Sequence, residues 1–345
     1  MKRLLNTLYV STQGAYLSRE GETIHVRVEQ ETRMRVPIQQ LSSVVCLGNV
    51  ALSSGFLELC AENGVSVSCL TEQGRFQARM EGPVRGNVLL RRQQYRAADN
   101  PDISVSIVTA IVAAKVANAR NVLLRAAREH PVSEEKERLT TTAIRLAWTL
   151  GALTIAPRLD VDTLRGLEGD AASTYFAVFN SLILAQKEDF AFTQRSRRPP
   201  LDNLNALLSF LYTLLTHEAV GALESVGLDP AVGFLHTDRP GRPSLALDLA
   251  EEFRAPVSDR LALSLINRRQ IQGKHFERTA SGAVTLTDAG RREVIQTWQE
   301  RKREELQHPF LLEQCPWGLL PYTQALLLSR HLRGDLNAYP AFFWK

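Results

Sequence analysis

Hydrophobic and polar positions follow two different rhythms along the chain. In the first part, residues 9–10, 15–17, 23–28 and 34–38 form short, partly alternating runs punctuated by Gly14, Gly21-Glu22 and Gly48-Asn49. Alternation bounded by turn residues predicts strands. Residues 44–47 and 65–70 are more continuously apolar and predict buried strands. Between them, Phe56, Leu57, Leu59 and Cys60 lie at helical spacing, and Gly64 follows. A glycine there suits the left-handed residue that ends a helix, so a helix is predicted over 53–63.

From Pro101 the period lengthens to about 3.6. Ile103, Ile107, Ala110, Ile111, Ala114, Ala117 and Val122 make one apolar stripe. Further helical patterns cover 134–150, 161–190, 202–226, 244–254, 257–270, 287–307 and 319–334, with breaks at Pro199-Pro200, Pro230, Pro240, Pro243, Pro256, Pro309, Pro316 and Pro321. The predicted fold class is therefore α+β. A small N-terminal β-rich domain (1–80) is followed by a basic linker (81–100) and a larger all-α domain (101–345).

Composition adds little until it is mapped. The 345 residues are 44% hydrophobic and 23% charged, as in ordinary globular proteins. The net charge of +4 identifies no ligand, but its distribution is uneven. Residues 1–84 are balanced, with eight basic and eight acidic side chains, whereas residues 85–128 carry eight basic residues against Asp99 and Asp102. Such a stretch suits a polyanion, and also arises on a solvated helix face. Cys46, Cys60, Cys69 and Cys315 show no paired-ligand spacing and read as free thiols in a reducing compartment. Residues 4–10 are interrupted by Asn6 and Thr7, which excludes a signal-peptide core, and the apolar run 103–114 is too short to span a bilayer. A cytoplasmic location without membrane partners is expected.

Three segments offer chemistry. Gly166-Leu167-Glu168-Gly169-Asp170 places two glycines around a glutamate inside a helix that Asp160 or Asp162 could cap. Each glycine costs about 1 kcal/mol against alanine there, so either a ligand approaches Glu168 closely or helices pack tightly beside it. Gly233-Phe234-Leu235-His236 ends in a histidine at the edge of a turn rich in proline and glycine. Pro243 to Arg254 puts Asp248, Glu251 and Glu252 on one side of a helix, with Ser244 as its N-cap. Like charges four residues apart repel mildly, which a divalent cation or nearby arginines would offset; a solvated acidic face is the bland alternative. Two carboxylates with one imidazole suit Mg²⁺ or Mn²⁺, and no second histidine or thiolate favours zinc. Arg195, Arg197, Arg198, Arg239, Arg242 and Arg254 surround these segments in sequence and are candidate phosphate contacts.

Arg195-Ser196-Arg197-Arg198-Pro199-Pro200, Asn205 to Tyr212, Gly233 to His236 and Leu247 to Arg254 occur in that order. With the Gly-Leu-Glu-Gly-Asp segment and Leu332-Arg333-Gly334-Asp335, they resemble the CRISPR-associated spacer integrase family over nearly the whole chain. The form is similar to that found with type I systems, including the I-C branch. The resemblance implies that Glu168, His236 and Glu251 bind metal, that Asp248 supports them catalytically, and that Glu252 faces outward. Some relatives carry aspartate at the position of Glu251. It implies double-stranded DNA as substrate, both the incoming fragment and the array repeat. It also implies a homodimer, two copies of which clamp a dimer of a small ferredoxin-like partner in a heterohexamer. The expected reaction is attack of a DNA 3′-hydroxyl on a phosphodiester, with hydrolysis when water takes its place. A stand-alone nuclease acting on branched DNA and a non-catalytic DNA-binding scaffold are the alternatives.

Overall fold

The computed structural model describes residues 6–72, 76–80, 88–155 and 159–344. Two compact units emerge, residues 1–86 with 288–296, and residues 87–287 with 297–345.

The first unit is strand-rich. Strands β1 (Asn6–Val10), β5 (Leu41–Leu47) and β7 (Ser66–Leu70) run parallel, and β8 (Phe76–Met80) lies antiparallel to β7. A second sheet takes the order β4 (Glu31–Pro37), β3 (Thr23–Val28), β2 (Ala15–Glu20) and β6 (Val50–Leu52). Val10, Leu17, Ile24, Val44, Phe56, Leu59 and Val67 share one core. The predicted helix is present as α1 (Ser54–Asn63). Ser53 Oγ accepts from the Phe56 amide at 3.1 Å, and Gly64 closes the end at φ 68°.

The second unit is mostly helical. Part of the expected linker falls at 81–87, outside the described residues, but its remainder forms helix α2 (Val88–Asp99). Leu90, Gln94 and Ala97 are buried at helical spacing, and the Gln94 amide donates to Asp229 O and Val232 O at 2.8 and 2.9 Å. These contacts hold α2 as a packed helix. Helix α3 (Pro101–Glu129) is capped by Asn100, whose side chain accepts from the Asp102 and Ile103 amides. Helices α4 (Ser133–Ile155), α5 (Val161–Ala177) and α6 (Asn203–Val226) follow. The pattern over 161–190 overruns the helix, which stops at Ala177. Phe179 and Phe192, beyond that point, cluster with Phe176 of the helix's last turn, with ring centroids 5.3–5.9 Å apart. Their clustering gives residues 178–192 a hydrophobic anchor without helical continuity.

Helix α7 (Ser244–Glu251) leads through a π-helical turn, Arg254–Asp259, into α8 (Arg260–Asn267). Ser244 does not cap α7, because its hydroxyl donates to Thr237 O at 3.1 Å. Two hairpins, β9 (Phe276–Arg278) with β10 (Val284–Leu286) and β11 (Glu305–Gln307) with β12 (Gln314–Pro316), interrupt the helical pattern around α9 (Asp288–Arg303). Helix α10 (Leu320–Leu332) then packs on α6. Helices α3 and α6 are apolar and long enough to cross a bilayer, but 56% and 61% of their most apolar windows are buried inside the fold. Their hydrophobicity is that of core helices.

Candidate active site

Three elements of the helical unit carry the sequence-nominated acids and histidine to one place. Helix α5 presents Glu168, the loop before α7 presents His236, and α7 presents Asp248 and Glu251. Helix α3 supplies a residue that motif reading passes over, Lys115.

Asp248 builds the loop. Its carboxylate is fully buried and accepts the backbone amides of Phe234 (2.7 Å), Leu235 (3.0 Å) and His236 (3.0 Å). A side chain at Gly233 would place its Cβ 2.8 Å from both Asp248 Oδ2 and Ser244 Cβ, so only glycine fits this approach. From the other side, Arg165 on α5 donates to Leu235 O at 2.9 and 3.1 Å. The loop is thus clamped between α5 and α7. Asp248 also meets His236 Nδ1 at 2.6 Å. A carboxylate partner holds the Nδ1 proton and leaves Nε2 as the lone-pair nitrogen. That nitrogen lies 3.9 Å from Glu251 Oε1.

Glu251 is the most heavily charged point of the site. Its side chain is only 2% exposed, yet Lys115 Nζ lies 2.6 Å from Oε2 and an Arg254 guanidinium nitrogen 2.5 Å from Oε1. Burial by itself would raise its pKa, but the cations Arg254 and Lys115 overturn that effect and hold it at about 2. Lys115 Nζ simultaneously contacts Glu168 Oε1. One ammonium therefore joins two carboxylates from helices far apart in sequence. Gly166 and Gly169, which flank Glu168, have open space where side chains would project. Tight helix packing does not account for them, and the helix face beside Glu168 is open.

Glu252 departs from expectation. It does not face outward but is fully buried, accepting Tyr339 Oη (2.5 Å), Gln324 Nε2 (3.0 Å) and the Phe342 amide (2.7 Å). Burial raises its pKa to about 7 despite these donors. The reason is its position one residue after Glu251, which turns it toward the returning segment 339–344. Asn118 secures the same segment, donating to Glu252 O and Phe342 O and accepting from the Trp344 amide.

The nominated arginines divide. Arg254 and Arg195 are committed to the fold: both guanidiniums lie over the Tyr212 ring, at 5.0 and 5.3 Å, and Arg195 donates to Asn205 Oδ1 and Ser209 Oγ. Tyr212 in turn donates to the buried Asp259 carboxylate at 2.6 Å. Arg197, Arg198 and Arg239 are exposed, and Arg242 is half-buried. Burial lowers the pKa of Arg242, and the nearby charges of Arg239, Arg165 and Arg198 lower it further. A cationic rim therefore surrounds the His236 loop.

Among the described residues, no three His, Cys, Asp or Glu side chains are gathered closely enough to hold a metal ion as they stand. The donor chemistry nevertheless fits Mg²⁺ or Mn²⁺: two hard carboxylates already share one cation, and an imidazole beside them has its outer nitrogen open.

A strand-rich unit is thus joined in sequence to a helical unit that carries this acid–imidazole centre. The family described as CRISPR associated protein Cas1 matches residues 8–300. The chain is 54% identical over 348 residues to CRISPR-associated endonuclease Cas1 2 of Rhodospirillum rubrum, covering all of both chains. Among solved structures it resembles a Cas1 protein from Thermotoga maritima with a TM-score of 0.81 and 26% identity, over 95% of this chain and 97% of that one. It shares its fold with a casposase bound to integration product, with a TM-score of 0.83 and 22% identity, over 99% and 94%. The chain belongs to the Cas1 family of CRISPR-associated endonucleases.

Proposed function

We propose that this protein is a divalent-metal-dependent DNA integrase and endonuclease that inserts short fragments into a CRISPR array. The reading rests on one observation: Glu168 and Glu251 share a single cation beside the open Nε2 of His236. In this reading Glu168, Glu251 and His236 hold Mg²⁺ or Mn²⁺. When bound, such an ion acidifies an attacking hydroxyl and offsets charge on the leaving oxygen. Asp248 keeps the His236 ring in the tautomer that offers Nε2, so it positions a ligand without touching the reacting atoms. Arg198, Arg239 and Arg242 grip backbone phosphates around the loop. The 3′-hydroxyl of the fragment attacks phosphorus at the repeat boundary. A new phosphodiester forms, the bond to the array's own 3′-oxygen breaks, and that oxygen takes up a proton. With water as nucleophile the same site hydrolyses DNA.

The working assembly in this reading is a homodimer, two of which flank a dimer of a small ferredoxin-like partner. Its location is the cytoplasm. The test supplies a labelled duplex with free 3′-hydroxyl ends and a repeat-bearing plasmid, together with the partner. Joined product that depends on Mg²⁺ or Mn²⁺ and disappears with EDTA supports the reading. Nicking without joining would favour a stand-alone nuclease, and retained function in EDTA a scaffold.

A further inference from the structure

Lys115 has a position that the proposed chemistry does not by itself require. It interrupts the apolar interior of α3 between the buried residues Ala114 and Val116, and its side chain is only 14% exposed. A buried ammonium needs compensation, and so do two carboxylates brought together away from water. Lys115 satisfies both needs at once, through Glu168 Oε1 and Glu251 Oε2. The second oxygen of Glu251 is held by Arg254, so both of its oxygens already face a cation.

An incoming divalent ion must displace one of these cations, and they are not equally free to leave. Arg254 is pinned over the Tyr212 ring at 5.0 Å, and Tyr212 is fixed by Asp259. A guanidinium held by stacking and ion pairing has little room to withdraw. Lysine is a point charge on a flexible four-carbon stem, strongly hydrated once released.

We propose that Lys115 is a resident cation that occupies the divalent-ion position in the metal-free protein, keeps Glu168 and Glu251 together, and withdraws when the ion binds. This rests on the divalent-ion reading of the site and adds a determinant of ion affinity to it. Because the ion must compete with the ammonium, the measured affinity of the wild-type protein is weaker than that of the bare ligand set.

The test is calorimetric titration of Mn²⁺ into the full-length protein and its Lys115→Met variant, with thermal unfolding followed in EDTA and in Mn²⁺. Lys115→Met is expected to bind Mn²⁺ more tightly by on the order of tenfold, the factor by which competition masks the binding-competent state. Its unfolding temperature should fall in EDTA, where two carboxylates lose their counter-ion, and recover with Mn²⁺. Equal or weaker Mn²⁺ binding by Lys115→Met, with binding by the wild type intact, overturns the placeholder role and leaves the metal reading standing. Absence of Mn²⁺ binding in both proteins overturns the two together. Should Lys115→Met fail to fold in EDTA, Lys115→Gln carries the same titration with the same criteria. Arg254→Met serves as the contrast: tighter Mn²⁺ binding there, and not at residue 115, would assign the displaced cation to Arg254 and overturn the proposal.

Discussion

Glu251 and Glu252 are adjacent, equally buried, and driven in opposite directions. Glu251 is held near a pKa of about 2 by Arg254 and Lys115, whereas Glu252 rises to about 7 among a tyrosine, a glutamine and a backbone amide. Burial is common to both. What separates them is whether the partners carry charge: three neutral donors do not repay the loss of hydration, while nearby cations more than do. One side of the α7 terminus is thus ringed by cations and the other is a structural lock.

The largest effect that would sharpen this contrast is on strand transfer. Glu251→Ala should reduce fragment joining by roughly a thousandfold or more while fragment binding changes little, in line with the loss of a group that stabilises charge at the reacting centre. Glu168→Ala and His236→Ala should behave alike. Retained joining in any two of the three, measured with Mn²⁺, would break the assignment.

Asp248→Asn should act on both readouts. Replacing one carboxylate oxygen by an NH₂ group opposes a backbone donor, at a cost of roughly 2–4 kcal/mol in denaturant unfolding. Loss of the His236 partner should lower activity about 10–100-fold, the range for second-layer partners of metal-binding histidines. Unchanged stability would show that the three amides do not depend on this carboxylate.

The pH dependence should come from the Glu252 side. Its folded-state pKa, raised to about 7 from 4.5, favours the protonated form, so the stabilisation is fully present below pH 4.5 and is lost as pH rises through 7. Across that window the loss is on the order of 2–3 kcal/mol. Glu252→Gln should flatten the slope, gaining on the wild type between pH 5 and 8; parallel unfolding curves would contradict the assignment.

The smallest effect is expected at the rim. Arg198→Ala with Arg239→Ala should weaken DNA binding only several-fold and reduce its salt dependence by about one unit of slope for each phosphate no longer neutralised. An unchanged slope would place the DNA elsewhere.

How far the sequence foretells this centre depends on what each residue's environment is made of. The helix α1 with its Ser53 and Gly64 ends, the long α3 stripe and the gathering of residues 168, 236, 248 and 251 are legible, because local spacing or motif order carries them. Lys115 stands in the sequence only as one of many basic residues in 85–128. Its signal is present, a lone charge between Ala114 and Val116 inside an apolar run, but nothing local says what it faces. Glu252 reads wrongly from the sequence because its burial is imposed by Phe342, 90 positions away. The hairpins β9 to β12 are three residues long per strand, too short for alternation to register. Pro256 marks a break as expected, but the chain absorbs it in a π-helical turn and continues into α8.

The returning segment 339–344 also has a consequence for synthesis. Helix α7 leaves the ribosome long before the residues that cover Glu252 exist, since the amide that binds its carboxylate is 90 positions downstream. A polypeptide that stops short of residue 342 therefore carries Glu168, Asp248 and Glu251 without the packing that covers Glu252.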